Sequence, residues 1–338
     1  PVSSACALPQ PFDVGAVYTT TLHVAVGGTG TGTEASPFGS IEDAAGAATP
    51  GTRILVHPGT YPGDLFISDL VGTAAAPIAI VGEPGAILDG GGETLHLSNV
   101  SYLVLEGLEM RGSTANGVNV DDGADGTASA FLVFRDLFIH DIGTGGTNDC
   151  LKLSGLDDFW VVGSELSGCN AGDAIDMGGC HDGIIAANHF HDSPGSGGVQ
   201  AKGGSADVLV HGNLFEDVAG RSINAGGSTG LSFFRPIDAP HEAARLRIVA
   251  NVFVRSGDTP IAFVGCDACV FAHNTVVDPL TRVSRILQES TDARFVPSRN
   301  GLFVNNVVVY QAAVVSFADR FANIGTGTAP ETFTYGSN

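Results

Sequence analysis

The chain has little positive charge, and lysine is the scarcest part of it. Fifteen lysines and arginines face 36 aspartates and glutamates over 338 residues, which gives a formal net charge of −21. Only two of these cations are lysines, Lys152 and Lys202. Because phosphate backbones are bound through basic surfaces, this balance argues against nucleic acid as a partner.

Long apolar runs and aromatic side chains are also scarce. No run approaches the ~20 apolar residues that a membrane-spanning helix needs, so no membrane span is predicted. Aromatic residues make up 7% of the chain and charged residues 15%, whereas glycine occurs 47 times. This composition favours many short strands joined by tight turns.

Six cysteines are present: Cys6, Cys150, Cys169, Cys180, Cys266 and Cys269. An even number is compatible with export and with one or two disulfides, although the spacing does not assign their pairing. The lone C-x-x-C at 266–269 has no second pair to complete a zinc site, so a buried thiol is predicted at Cys269. We expect a secreted, extracellular or periplasmic protein, already processed at Pro1.

Four segments repeat one pattern: NDCLKLSG (148–155), GDAIDMGG (172–179), GGVQAKGG (197–204) and GRSINAGG (220–227). They align with a step of 24 residues that places Lys152, Asp176, Gln200 and Asn224 in one column. A fixed period in the twenties, with apolar alternation and a glycine stop in each copy, is typical of a solenoid.

Alternation within each copy separates an inward from an outward face. The inward column is Leu151, Ile175, Val199 and Ile223. The outward column, predicted to be exposed, also carries Lys202 two residues beyond Gln200. An earlier segment, NGVNVDDG (116–123), adds Asn119 and Asp121 one rung before Lys152. We predict that this outward face is the active site.

A second alignment predicts an asparagine ladder at one corner of the solenoid. Strands such as FWVV (159–162) and CVFAHN (269–274) follow the outward segments. Stacking them aligns Asn188, Asn213, Asn251, Asn274 and Asn306. Amides stacked in this way satisfy the backbone where the chain bends, so these residues are predicted to be structural.

We predict one all-β domain over 1–338, a single-stranded right-handed parallel β-helix. A lead-in and cap would occupy 1–50, the rungs 51–310, and a tail or cap 311–338. The capping box SIED, which begins at Ser40, predicts a short helix to about Ala48. That helix is expected to cover the apolar end of the solenoid.

Two segments break the period, 228–245 and 280–299. Insertions in a solenoid form loops on one face, frequently the binding face. Their aromatic and charged residues are expected either to wall a groove or to belong to ordinary long turns with buried aromatics: Phe233, Phe234, Arg235, Arg282, Arg285 and Glu289.

Rung spacing assigns different roles to the two lysines. Adjacent rungs lie ~4.8 Å apart, so Lys152 and Asp176 are predicted to pair and Lys152 to stay charged. Lys202 lies one rung further on beside Gln200 and is the better candidate for a neutral base. Asp149 and Asp173 also lie on adjacent rungs, and with Asp176 they are predicted either to hold Ca²⁺ or to be solvated turn residues.

The opening TLHVAVGGTGTG, SPFGSIEDAA and RILVHPGTY resembles the start of pectate-lyase-like right-handed parallel β-helix proteins. NAGDAIDMGG (170–179) looks like the Asp-rich rung of family 9 pectate lyases, which implies Ca²⁺ at Asp173 and Asp176, with Gly172 in place of a further aspartate. GGVQAKGGS (197–205) is similar to the lysine strand of the alginate lyase and chondroitinase B group. That likeness implies a base at Lys202 and an arginine partner at Arg221, while glycines replace the group's acidic calcium ligands.

These observations predict a polysaccharide lyase that cleaves an anionic, uronic-acid-containing polysaccharide or oligosaccharide as a monomer. Lys202 would take the C5 proton, Arg221 or Ca²⁺ would neutralise the carboxylate, and Lys152 would bind a neighbouring carboxylate. The remaining predicted substrate contacts are Asp176, Gln200, Asn224, Asn119, Asp121 and Arg235. Two alternatives stay open: a glycoside hydrolase that uses Asp173 or Asp121 with Asp176, and a non-catalytic carbohydrate-binding or surface β-helix.

Overall fold

In this computed structural model, residues 8–123, 126–195, 197–311 and 322–338 are described. Every pairing between their strands is parallel, and the chain visits three sheets in turn at each rung. The predicted parallel β-helix is therefore confirmed. Helical structure among these residues is limited to the α-helix Ile41–Ala47 and the 3₁₀ turns Leu231–Phe233 and Pro330–Thr332.

The three sheets are numbered here for reference. Sheet I contains Thr20–Val24, Thr52–Val56, Ile78–Gly82, Ser101–Glu106, Ser129–Arg135, Leu156–Val162, His181–Ala186, Ser205–Ala206, Leu209–His211, Ala243–Ala244, Arg247–Val249, Cys266–Asp267, Val270–Ala272, Leu302–Val304 and Thr334–Gly336. Sheet II contains Leu65–Ser68, Leu95–Ser98, Val118–Asp121, Leu151–Ser154, Ile175–Gly178, Val199–Lys202, Arg221–Gly226, Thr259–Val264, Ser284–Leu287 and Ala322–Ile324. Sheet III contains Gly59–Pro62, Ala86–Asp89, Glu109–Arg111, Phe138–Ile142, Glu165–Cys169, His189–Ser193, Leu214–Val218, Val252–Val254, Thr275–Val277 and Val307–Val309.

Inward side chains of the three sheets form one continuous buried cluster from Val24 to Phe303. In its second half, phenylalanines stack from rung to rung, with 4.7 Å between the ring centroids of Phe190 and Phe215 and 4.8 Å between those of Phe215 and Phe253. Such stacks add to the burial of apolar area, which is the main source of stability in a solenoid. Sheet II is therefore a rigid platform for its outward side chains.

The asparagine ladder is present as predicted. Each member is buried, and its side-chain oxygen accepts a hydrogen bond from a backbone N–H one rung earlier, which is that of Ser164 for Asn188 and that of the preceding asparagine for the other four. For example, Asn188 N donates to Asn213 Oδ1 at 2.9 Å, and Asn213 N donates to Asn251 Oδ1 at 2.9 Å. Backbone groups that the bend would leave unpaired are satisfied in this way.

The N-terminal helix is confirmed, and Ser40 caps it through a hydrogen bond from Asp43 N to Ser40 Oγ at 3.0 Å. Its role as a cap on the apolar end stays a prediction. Sheet I begins earlier than the predicted first rung, because Thr20–Val24 already pairs in register with Thr52–Val56. No helix among the described residues is long and apolar enough to cross a membrane.

Two disulfides join Cys150 to Cys169 and Cys266 to Cys269. The prediction of a thiol at Cys269 is thus wrong, although its inward, buried position is confirmed. Cys180 is a buried free thiol, and Cys6 lies outside the described residues. Burial raises the pKa of Cys180 to about 12, so this thiol is neutral at physiological pH.

The off-period segments are only partly loops. Ser284–Leu287, inside the predicted 280–299 insertion, is a regular strand of sheet II and pairs with Thr259–Val264. Ala243–Ala244, at the end of 228–245, is a short strand of sheet I. The shorter irregular parts, 227–242 and 288–301, leave the solenoid beside the outward face of sheet II.

Candidate active site

The outward column of sheet II has the predicted register. Asp176 pairs with Lys152 on one side and with Gln200 on the other. Asn224 follows Gln200, and Asn119 precedes Lys152. The 24-residue period from Lys152 to Asn224 is confirmed, and Asn119, which pairs with Lys152 across a longer step, lies on the same face.

Two members of this column are covered by their neighbours. Asp176 is 2% exposed and Asn224 is 8% exposed. Lysines from both sides contact the Asp176 carboxylate, and Arg221 Nη1 donates to Asn224 Oδ1 at 3.0 Å. The prediction of an exposed column is wrong at these two positions, because long cationic side chains lie over the shorter polar groups that they bind.

Both lysines of the chain bind the same carboxylate oxygen, Asp176 Oδ2. Lys152 Nζ contacts this oxygen and lies 3.2 Å from Asp149 Oδ2. Lys202 Nζ lies 3.1 Å from Asp176 Oδ2 and donates to Gln200 Oε1 at 3.0 Å. Lys202 therefore has a carboxylate partner in addition to the predicted amide.

The Lys152 charge is fixed by its surroundings. Burial lowers the pKa of Lys152, but the adjacent Asp176 and Asp149 carboxylates outweigh burial and raise this pKa above its ordinary value. Burial and the charge of Asp176 raise the pKa of Asp149, and the Lys152 ammonium opposes that increase. Lys152 keeps its proton at neutral pH, as predicted.

A groove of about 650 Å³ lies over the two lysines. Lys152, Lys202 and Asp176 line it from the sheet, together with Asp122, and residues 228–230 and 232–235 of the first insertion form the opposite wall. The predicted wall is thus confirmed. Phe233 stands at this wall with 76% of its surface exposed, whereas its neighbour Phe234 is buried.

Arg235 lines the groove, but its guanidinium fastens the wall to the solenoid. Arg235 Nη1 donates to Asp157 Oδ1 at 2.9 Å and to Gly179 O at 2.8 Å, and Nη2 pairs with Asp157 Oδ2. Burial alone would raise the pKa of Asp157, but hydrogen bonds from His181 and Arg235 lower it to about 2. A substrate contact at Arg235 stays a prediction, and the contacts that the structure shows are structural.

Arg221 lies in a second, smaller cavity of about 280 Å³. Asp173, Gly197, Gln200, Asn224 and Asp258 line this cavity with it. Gln200 joins the two spaces, because it lines the small cavity and also binds the Lys202 ammonium of the groove. The structure therefore separates Arg221 from Lys202 by one amide side chain.

The second insertion contacts two residues of this smaller cavity, Arg221 and Asp258, but is not among the described residues that line it. Glu289 Oε1 accepts a hydrogen bond from Arg221 Nη2 at 2.8 Å. Arg282 and Arg285 each donate to Asp258, at 2.8 Å and 2.6 Å. The predicted wall residues of 280–299 therefore lie near the outward face. There Glu289 pairs with Arg221, and both predicted wall arginines pair with Asp258.

Asp121 belongs to a different cluster. His96 Nε2 lies 2.7 Å from Asp121 Oδ2, and Ser98 Oγ donates to Asp121 Oδ1 at 2.5 Å. Burial raises the pKa of Asp121, but these contacts outweigh burial and lower it below its usual value. Neither Asp121 nor Asn119 is among the described residues that line the lysine groove.

The predicted calcium ligands do not converge on one point. Asp149 Oδ1 accepts a hydrogen bond from Asp173 N at 2.8 Å, and its other oxygen faces Lys152. Asn116 Oδ1 accepts from Asp149 N in the same way, so Asp149 continues a polar ladder. No group of three or more His, Cys, Asp or Glu side chains among the described residues is arranged to hold a metal. Calcium stays a prediction.

Two acidic residues that the sequence does not single out belong to this region. Asp122 lines the lysine groove, one position beyond the predicted Asp121. Glu242 is fully buried in the first insertion and accepts a hydrogen bond from Gly203 N at 3.0 Å. Alternation along Val118–Asp121 would place Asp122 on the inward face, and Glu242 lies outside any period, so neither residue has a signal in the sequence.

Neither a protein-family model nor a curated protein sequence matches this chain. Solved structures do match. An alginate lyase from Paenibacillus sp. str. FPU-7 has a TM-score of 0.60 at 18% identity, covering 94% of this chain and 100% of the lyase. Pectate lyase Pel9A has a TM-score of 0.61 at 15% identity, with 90% and 80% covered.

A GH136 lacto-N-biosidase from Eubacterium ramulus has a TM-score of 0.60 at 13% identity, covering 94% of this chain and 67% of that protein. At such identities the likeness shows the fold alone, a parallel β-helix. Polysaccharide lyases are among the structures that share it. The chemistry of this chain has to be argued from its own groove.

Proposed function

We propose that this protein is a polysaccharide lyase that cleaves a uronic-acid-containing polysaccharide by β-elimination, with Lys202 as the base. One observation carries the proposal: the only two lysines of the chain meet on one buried carboxylate at the floor of a groove. Structural neighbours that act on alginate and pectate support the same class of reaction.

Elimination on a uronide requires three functions from the site. A base removes the C5 proton, the electrons form the C4–C5 double bond, and the bond from C4 to the leaving oxygen breaks. A cation must stabilise the negative charge that builds up on the carboxylate as the proton leaves. The leaving oxygen finally takes up a proton, which the protonated Lys202 can return.

We divide these tasks between a lysine that keeps its proton and a lysine that accepts one. Lys152 keeps its proton and lies in the groove beside Lys202, so we assign it to a substrate carboxylate. Arg221, on the far side of Gln200, is assigned to a further carboxylate of the polysaccharide substrate. Lys202 is assigned as the base, because its side chain lines the groove beside Lys152 and its Nζ can accept the C5 proton in its neutral form.

The hydrolase alternative is less consistent with the site. A hydrolase needs one carboxyl group that is protonated and a second that faces the substrate. Asp176 is held by both lysines, and the lowered pKa of Asp121 keeps that carboxyl ionised. Pairing with both lysines therefore gives the Asp176 carboxylate a positioning role.

The test is Lys202→Ala, assayed on alginate and polygalacturonate. Product absorbance reports unsaturated ends, and a parallel reducing-end assay reports any cleavage. Loss of a general base is expected to lower the elimination rate by ~10²–10⁴-fold, with an almost unchanged melting temperature. Lys202→Arg should not restore the rate, because a guanidinium stays protonated. Arg247→Ala, an exposed cation on sheet I, is the matched control.

Three results would overturn the proposal. Reducing ends without absorbance would identify a hydrolase, and near-normal elimination by Lys202→Ala would exclude the lysine base. Absence of any cleavage by the wild-type protein, on these polymers and on glycosaminoglycans, would favour the binding protein. The two disulfides support action outside the cytoplasm, which we include in the proposal.

A further inference from the structure

Glu242 is a fully buried carboxylate at the junction of both insertions. Its Oε1 accepts hydrogen bonds from Thr229 N at 2.9 Å and from Ser290 Oγ. Its Oε2 accepts from Gly203 N at 3.0 Å and from Thr229 Oγ1 at 2.7 Å. A carboxylate at 0% exposure is tolerated only when its oxygens are satisfied in this way.

These four donors come from three separate segments of the chain. Thr229 belongs to the groove wall formed by the first insertion, and Ser290 belongs to the second insertion. Gly203 is the residue that directly follows Lys202 in the sequence. One side chain therefore ties both insertions to the end of the strand that carries the lysine.

The backbone around Gly203 is built for this close approach. Arg235 N donates to Gly203 O at 3.0 Å, and Gly204 N donates to Glu242 O at 2.9 Å. Gly204 has φ of +90°, and a Cβ there would lie 2.5 Å from Arg235 O. A side chain at this position would push the wall away from the solenoid.

We infer that Glu242 is a positioning residue that sets the place of the Lys202 ammonium relative to the groove walls. This inference rests on the proposed lyase function for its catalytic consequence, but not for its structural content. Gly203 N–H is fixed by Glu242, so the backbone C-terminal to Lys202 cannot shift without breaking a buried, charge-assisted hydrogen bond. Lys202 is therefore held in the groove through the backbone that follows it.

A carboxylate is needed here, and an amide would not replace it. Each Glu242 oxygen accepts one backbone N–H, from Thr229 or from Gly203, and a backbone donor cannot reverse its direction. In Glu242→Gln, the amide NH₂ group would face one of these two N–H groups whichever way it turned. One buried donor would lose its partner in either orientation.

The experiment is Glu242→Gln, compared with Glu34→Gln, which makes the same change at an exposed site. Amide hydrogen exchange is measured first, because it does not depend on any enzymatic activity. We expect exchange at Gly203 and Thr229 to speed up by about tenfold or more in Glu242→Gln, and to be unchanged in Glu34→Gln. Thr229→Val, which keeps the backbone N–H, is expected to give a smaller effect and serves if Glu242→Gln does not fold.

Kinetics with alginate or polygalacturonate then test the positioning role. We expect kcat to fall by up to about 100-fold with little change in KM, because a displaced base affects the chemical step more than binding. Unchanged exchange at Gly203 would overturn the inference whatever the activity. Faster exchange with an unchanged kcat would also overturn it. If the wild type cleaves none of these polymers, the proposed function fails while the exchange result still decides the role of Glu242.

Discussion

Replacing Lys152 with methionine tests whether this lysine is the cation that balances two buried carboxylates. Methionine keeps most of the apolar stem and removes the charge. Asp176 would still have Lys202, but Asp149, which is 3% exposed, would lose its only ion-pair partner among the described residues. The change therefore leaves one buried charge without compensation.

The expected cost follows from that single uncompensated charge. Removing one partner of a buried ion pair costs about 3–5 kcal/mol. Unfolding a chain of 338 residues carries an entropy near 0.7 kcal/mol/K, at about 2.1 cal/mol/K per residue. The melting temperature of Lys152→Met should therefore fall by about 4–7 °C at pH 7.

The pH dependence gives a sharper signature than the melting temperature alone. Without Lys152, the folded state favours a protonated Asp149, whose pKa is already raised by burial and by Asp176. A group with a raised pKa in the folded state binds more protons than in the unfolded state, so stability falls as the pH rises. The gap between the variant and the wild type should narrow as the pH is lowered toward 5.

Calorimetry over a range of pH is the assay, and Lys202→Met is the matched control because it is the only other lysine. Lys202→Met leaves Asp176 paired with Lys152, so it should cost only about 1 kcal/mol. Adding Asp149→Asn to Lys152→Met should restore part of the loss. A melting temperature for Lys152→Met within the error of the wild type, at both ends of the pH range, would refute the reasoning.

Three further predictions concern the wall, the corner and the cation. Asp157→Asn should lower the free energy of unfolding by about 1–2 kcal/mol at pH 7, and this difference should vanish toward pH 2 in denaturant titrations. The reason is that a carboxyl group with a lowered pKa loses its stabilising charge as the pH falls through that pKa. Asn213→Ala should cost about 2–5 kcal/mol, since Asn188 N–H and Ile185 C=O lose their partner, whereas the exposed Asn170→Ala should cost under about 0.5 kcal/mol in the same titrations. A chelator tests the calcium prediction: it should lower the melting temperature or the activity if Asp149, Asp173 and Asp176 hold Ca²⁺, and no change in either, with no bound metal by elemental analysis, would contradict that prediction.

The rungs could be predicted from the sequence because each one repeats the same physical constraint. The alternation at Leu151–Ser154 recurs in successive turns, and the corner asparagines recur from Asn188 onward. Aligning the repeats in the sequence therefore identifies residues that are neighbours in the structure. The column of Lys152, Asp176 and Gln200 is correct for this reason.

Contacts made by the insertions could not be predicted in the same way. Glu242 reaches Gly203, and Arg235 reaches Asp157, across distances in sequence that no period specifies. Side-chain reach is a second source of error, because Lys202 contacts Asp176 in addition to its strand neighbour Gln200. The contacts of Glu242 and Arg235 depend on the path of one loop, which leaves no repeated pattern in the sequence.

The direction of the asparagine ladder has a mechanical consequence. Each asparagine supports the rung before it, and Asn338 Oδ1 accepts a hydrogen bond from Asn306 N at 3.0 Å. Tension that pulls the rungs away from the side of Asn338 would remove this support first and then expose the next donor in order. Successive ladder members are 25, 38, 23, 32 and 32 residues apart from Asn188 to Asn338. At ~3.6 Å per extended residue, each released rung would lengthen the chain by about 8–14 nm, and the wide-spaced rung that carries the groove wall would give the longest step.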